Sequence, residues 1–371
     1  MASNRRIPVY QPFLNGNEKV YVNECLDSSW ISSRGEFIDR FESKFSEILN
    51  IENATSVSNG TVAIHLALLA LGIGKDDEII VPTLTYVATV NSIAYVGGVP
   101  IFVDAKKDTM NIDVDLIESK ITEKTKAILA VHLYGNPCDM EKLIEICNKH
   151  NLYLIEDAAE ALGTKYKDKY VGSFGDIATF SFFGNKTITT GEGGMVASNN
   201  KALIDRVAYL KNQSVSLDRQ YWHAEVGYNY RMTNICAAIG LGQLEQVNEI
   251  LEKKKTLVHW YKQHLSNTNL NFQVTQEYGV NSFWMVTVTA KDDKSCNLIR
   301  DFLSENGVET RPIFVPMHIM PSHKEDNIYP ISEELGRTGF NLPSYPGLEE
   351  GDVKHICDLI NALYLDQPSL L

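Results

Sequence analysis

Several short runs in the first half of the chain carry apolar residues at consecutive positions. They are Glu78-Ile79-Ile80-Val81-Pro82, Pro100-Ile101-Phe102-Val103-Asp104, Ala127-Ile128-Leu129-Ala130-Val131-His132-Leu133, Tyr153-Leu154-Ile155-Glu156-Asp157 and Ile177 to Phe182. A strand with one wet face alternates, so strands without alternation must be covered on both faces. Helical patterns, such as Thr61 to Leu71 and Met140 to Lys149, fall between them. The order predicts βαβ units and a mostly parallel sheet. Past Leu241 the pattern changes. The spacing predicts a long helix from about Ile235 to His264, an alternating stretch over Ser282 to Thr289, a helix over Cys296 to Asn306 and strand character over Thr310 to Val315. Prolines at 312, 316, 321, 343 and 346 punctuate the loops there. The expectation is a large α/β domain over residues 1–250 and a smaller α+β domain over 251–371. With no internal repeat and no low-complexity linker, the two should share a continuous interface.

Bulk charge narrows the function classes. The 371 residues carry a formal net charge of -13, which argues against a nucleic-acid-binding body, since phosphate neutralisation needs a basic face. It leaves room for a small anionic ligand, because surface charge is screened over roughly 10 Å at moderate salt. The six cysteines form no C-x-x-C pair and no zinc-spaced cluster, so reduced thiols, no metal and a cytosolic compartment are expected. Arg5 and Arg6 have no apolar core behind them, unlike a signal peptide. No apolar stretch is long enough to span a bilayer.

Candidate chemistry sits at the strand ends, where open α/β sheets collect ligands. Asp157 closes one apolar run, and Lys186 follows another through Phe180-Ser181-Phe182-Phe183-Gly184-Asn185-Lys186, just before Gly191-Glu192-Gly193-Gly194. An amine to bond an aldehyde and a carboxylate to keep a ring nitrogen protonated are what pyridoxal 5′-phosphate (PLP) chemistry needs. An acidic strand end also serves as a plain helix cap, and an isolated lysine is usually solvated; the apolar approach and glycine-rich exit make exposure of Lys186 less natural. Ser58-Asn59-Gly60-Thr61 opens an amphipathic helix, whose free N–H groups attract a phosphate, although ordinary caps use the same residue types. Ser181 offers a further hydroxyl to the phosphate or to nearby backbone. Tyr86 offers an aromatic face for stacking, or for core packing.

Assembled, these residues resemble the DegT/DnrJ/EryC1/StrS family of PLP-dependent sugar aminotransferases. The likeness runs from Trp30-Ile31-Ser32-Ser33-Arg34-Gly35 to Asn341-Leu342-Pro343-Ser344. Its most specific elements are Glu156-Asp157-Ala158-Ala159-Glu160-Ala161-Leu162-Gly163, the Phe180 to Lys186 run, Gly191-Glu192-Gly193-Gly194 and Gly227-Tyr228-Asn229-Tyr230-Arg231-Met232. The resemblance implies a fold-type I, aspartate-aminotransferase-like architecture and a homodimer with shared active sites. It implies that Lys186 carries PLP and alternates between nucleophile and proton carrier, and that Asp157 pairs the ring nitrogen. Glu160, where most members have Gln, would reach the ring hydroxyl. Gly60, Thr61 and Ser181 would hold the phosphate, Tyr86 would stack, and Asn229 would reach the partner's phosphate. Trp284, in Phe283-Trp284-Met285, stands where many members have His.

These departures, with the wording around Lys186, are similar to the branch that aminates C4 of GDP-4-keto-6-deoxy-D-mannose with glutamate as donor. A sister branch that replaces the lysine with His performs a 3-dehydration, and Lys186 argues against it. A nucleotide diphosphate needs cationic donors; Arg231, Arg311 and His318 are candidates, and each equally suits a structural ion pair. Nothing physical in the chain selects guanine, so a dTDP- or UDP-linked 4-keto-6-deoxyhexose is the alternative substrate. A PLP-binding regulator would need a DNA-binding region, and none is patterned here. A nicotinamide dehydrogenase is weaker still: Gly72-Ile73-Gly74 follows a helix and has Asp77 where a third glycine should be.

Overall fold

The computed structural model describes residues 6–216 and 218–367; Arg5 lies outside them. Its central sheet has strands β1 (Asn53–Val57), β2 (Glu78–Pro82), β3 (Val99–Val103), β4 (Thr125–Val131), β5 (Tyr153–Asp157), β6 (Ile177–Ser181) and β7 (Gly194–Ser198). Their spatial order is β1-β7-β6-β5-β4-β2-β3. The β3/β2, β2/β4, β4/β5 and β5/β6 pairs are parallel, whereas β7 runs antiparallel to both β6 and β1. The β6–β7 connection contains no helix, so the chain folds straight back instead of crossing over. Lys186 lies in that reversal.

Burial on both faces is what the apolar runs record. Ile128 and Leu154 face a core that includes Phe41, Phe45 and Leu143, from α2 (Glu36–Leu49) and α5 (Met140–His150). Ala127, Leu129 and Ile155 face the opposite core, with Ile64 and Leu66 of α3 (Gly60–Ala70), Val90 of α4 (Val87–Tyr95) and Val207 of α6 (Lys201–Lys211). Helix α1 (Glu18–Ser28) packs with α7 (Asn234–Glu245) over the first core. The five strands β1, β2, β4, β5 and β6 end on one edge, and the loops after them carry Gly60, Tyr86, Tyr134, Glu160 and Lys186.

A second, antiparallel sheet has β8 (Asn271–Phe272), β9 (Val286–Thr289), β10 (Arg311–Pro312) and β11 (Gly339–Leu342), in the order β8-β9-β11-β10. It is covered by α8 (Val247–His264), α9 (Asp293–Glu305) and α11 (Glu350–Asp366), whose Leu257, Ile299 and Val353 share its core. Helix α10 (Pro330–Thr338) leads into β11. The first described residues join this unit: Ile7 bridges Val308, and Ser344 N–H donates to the Val9 carbonyl at 3.0 Å.

Three local expectations change. The long helix over 235–264 is two, because the chain leaves helical geometry at Gln246 (φ -110°, ψ 6°) between α7 and α8. Helix α9 starts earlier, since Asp292 caps it by accepting from Ser295 N–H at 2.8 Å. Strand β10 is only two residues long. The 250/251 division falls inside α8. No helix among the described residues is long and apolar enough to cross a membrane.

Candidate active site

A cavity of about 770 Å³ opens at the carboxyl edge of the central sheet, lined by Gly60, Thr61, Tyr86, Asp157, Glu160, Ser181, Lys186, Trp284 and Arg311 among others. At one end, α3 begins. The Asn59 side chain accepts from Val62 N–H at 3.0 Å and its carbonyl accepts from Ala63 N–H at 3.2 Å, leaving Gly60 and Thr61 at the helix mouth. A Cβ on Gly60 would lie 2.8 Å from the Ser181 Cβ. Only glycine lets the end of β6 close against this helix, and the result is a cradle for an anion.

At the floor, Asp157 is buried, with one oxygen accepting from Thr89 Oγ1 at 2.8 Å and the other from Ala159 N–H at 3.1 Å. Burial pushes its carboxyl up, outweighing those two donors and the more distant charges of Lys186 and His132. A positively charged N–H placed against it would reverse that direction. Above it, Lys186 Nζ lies 3.5 Å from Glu160 Oε1, with side chains only 13% and 5% exposed. The ammonium sits 3.9 Å from the Trp284 ring centroid. The second Glu160 oxygen accepts Tyr134 N–H at 2.8 Å. Burial pushes Glu160 up to about 7, with Lys186 and the Tyr134 N–H opposing it.

Glu156, the preceding residue of β5, faces the other side of the sheet and is treated differently. Its carboxylate accepts N–H from Gly172 at 2.7 Å, Phe174 at 2.8 Å and Gly175 at 2.7 Å, and His132 Nε2 lies 3.1 Å away. Cys138 N–H donates to His132 Nδ1 at 3.1 Å, which leaves the ring proton on Nε2, pointing at Glu156. Burial works against the Glu156 charge, yet these donors outweigh it and hold the carboxyl below its ordinary value.

The other expected residues separate. Tyr86 borders the cavity, exposed, with its ring 5.4 Å from Phe314. Arg311 also borders it, 3.9 Å from Glu309. Asn229 is exposed outside this cavity, and its side-chain oxygen accepts from Arg231 at 3.4 Å. Arg231 does not border the cavity either. His318 is not brought to it: the ring is buried, Nδ1 lies 2.8 Å from Thr83 Oγ1, and Nε2 faces Glu333 at 3.4 Å. It sits in a 3-10 turn at Met317–Ile319, with the ring bonded to Thr83 and facing Glu333 outside the cavity lining. Sequence reasoning did not find Thr89 or Tyr134; neither carries a local signal, because each reaches the site through the fold.

An amine held between a carboxylate and an indole, a second carboxylate bonded to neutral donors, and an anion cradle suit a flat, phosphorylated heterocycle bearing an aldehyde. The family model for the DegT/DnrJ/EryC1/StrS aminotransferase family matches residues 13–361. The GDP-perosamine synthase of Escherichia coli O157:H7 is 55% identical over 364 residues, covering 97% of this chain and 99% of its own. That of Vibrio cholerae is 48% identical over 361 residues, covering 95% and 98%. Among solved structures, Spr1654 of Streptococcus pneumoniae in its PLP form matches with a TM-score of 0.93 at 26% identity, covering 98% of this chain and 99% of the other.

Proposed function

The chain belongs to the DegT/DnrJ/EryC1/StrS aminotransferase family, and on that premise we propose that it moves an amino group from glutamate to C4 of GDP-4-keto-6-deoxy-D-mannose, giving GDP-perosamine. The names of its E. coli and V. cholerae relatives support that substrate. PLP, when bound, supplies the aldehyde that takes up the amino group, the aminated form that gives it back, and a ring that absorbs the electron pair between. The residues present fit it. Gly60, Thr61 and Ser181 would hold its phosphate, and the Asp157 carboxylate would hold the ring-nitrogen proton and keep its positive charge.

The remaining work falls to side chains of this chain. Lys186 Nζ would hold the cofactor, and as a free amine it would accept a proton at Nζ and deliver it again. Its low exposure keeps bulk water away from that exchange. Glu160 Oε1 stands beside Nζ, where it orients the amine and would meet the ring hydroxyl. Tyr86 would cover the ring. Arg311 faces the diphosphate at the cavity mouth, and Arg231 lies farther out beside Asn229. Asn229 serves the site of a second copy in a homodimer, which accords with its position outside its own cavity. The buried free thiols accord with a cytoplasmic enzyme.

One observation carries this reading: Lys186 Nζ lies inside the cavity that Asp157 floors, not in solvent. The test is a product assay with glutamate and each of the GDP-, dTDP- and UDP-linked 4-keto-6-deoxyhexoses, read by mass spectrometry. Amination of the GDP sugar alone is expected. Preference for the dTDP or UDP sugar would overturn the substrate, and no amination of any would overturn the enzyme.

A further inference from the structure

We propose that Trp284 is a positioning residue for Lys186, fixing both the backbone from which the lysine springs and the place where its charged end rests. The proposal builds on the reading that Lys186 carries the cofactor. Lys186 leaves a turn, where its own N–H donates to the Phe183 carbonyl at 2.9 Å. The other end of that peptide group, the Asn185 carbonyl, accepts the Trp284 Nε1–H at 2.6 Å. The next carbonyl, that of Lys186, accepts the Tyr10 hydroxyl proton. One bond within the turn and two sequence-remote side chains therefore hold the two peptide groups flanking the lysine Cα, and only the four methylenes remain free to swing.

The same indole also meets the far end of that side chain. Its face lies 3.9 Å from Nζ, and a cation over an indole is attracted most strongly where water is excluded. Trp284 is only 4% exposed. Its ring is backed by Tyr134, nearly parallel at 14° and 6.0 Å, and the Tyr134 N–H in turn holds Glu160. The amine thus rests between an indole face and a carboxylate that share one support. A group that gives up and retakes a proton in each half of the reaction must return to one place, and this arrangement defines that place.

Two variants separate the contributions: Trp284→Phe keeps a face and loses the N–H, while Trp284→Ala loses both. In the PLP-loaded enzyme, kcat should fall ~10-fold in W284F and further in W284A, with KM for glutamate and the sugar nucleotide changing less than about twofold. The absorption band of the lysine-bound cofactor should also titrate at lower pH in W284A than in wild type, by about one pH unit, because its cationic form has lost the indole. If W284A does not fold, the kcat of W284F decides alone, a wild-type value overturning the proposal. Wild-type kcat and wild-type titration in the variants would overturn the proposal, as would a loss confined to KM. A wild-type protein with no such band would instead overturn the cofactor reading on which it stands.

Discussion

Glu156 and Asp157 are neighbours on one strand, yet the two sides of the sheet treat them in opposite ways. On the side of Glu156, the protein surrounds a buried carboxylate with three backbone N–H groups and an imidazole, and its charge is fully accommodated. On the side of Asp157, the carboxylate has a hydroxyl and one N–H, and burial disfavours its charge. Lys186 and Glu160 lie on that same side, in the cavity. A fold that can satisfy a buried acid completely, and does so one residue away, leaves the next acid wanting a cation. The contrast distinguishes a carboxylate that ties loops together from one that awaits a ligand.

Substitutions can break this contrast. The largest effect belongs to Lys186→Ala: turnover should fall on the order of 1,000-fold or more, since both nucleophile and proton carrier are gone, while PLP is still retained, as read by steady-state assay and by cofactor content after gel filtration. Asp157→Asn should cost about 100-fold in kcat, because an opposite charge holds such a proton by roughly two pKa units. The urea midpoint of the cofactor-free variant should nevertheless stay near wild type, since the partners bonded to Asp157 there, a hydroxyl and a backbone N–H, are neutral. Glu156→Gln should invert that pattern. Whichever way its amide turns, an NH2 faces backbone donors, so about 3 kcal/mol of stability should be lost in urea unfolding, with kcat falling only as far as folded protein is lost. Equal stability in the Asp157 and Glu156 variants would erase the distinction drawn here.

The smallest effect sharpens the cavity side. Burial raises Glu160 from 4.5 to about 7, so between those values the folded protein holds a proton that the unfolded chain has released. Its contribution to stability is full below about 4.5 and is lost as pH rises through about 7. Glu160→Gln should therefore flatten the decline of Tm of the cofactor-free protein between roughly pH 5 and 7. An unchanged slope would remove Glu160 from the titrating groups.

The parts legible in the sequence were those written in consecutive residues. Burial on both faces leaves unbroken apolar runs, so β2 to β6 could be read directly, and strand ends then pointed to Asp157 and Lys186. Strand β7 was missed because Gly194-Met195-Val196-Ala197-Ser198 follows a glycine-rich turn and shows its role only when paired between β1 and β6. Gln246 is a good helix former, and nothing local marks the break it makes. Arg311 and His318 read as equals in one proline-rich stretch, yet only Arg311 borders the cavity. The Glu160 partner is a backbone N–H on Tyr134, a residue at φ 56° on another loop, which composition and period do not encode.

Tyr10 gives the beginning of the chain an unexpected importance. The segment that anchors at Ile7 and Val9 to loops of the second unit ends by touching the lysine turn, 176 positions downstream. Trimming the protein to its first obvious helix would thus remove a strut from the reaction centre, and a fusion partner added upstream needs enough slack to leave that docking undisturbed.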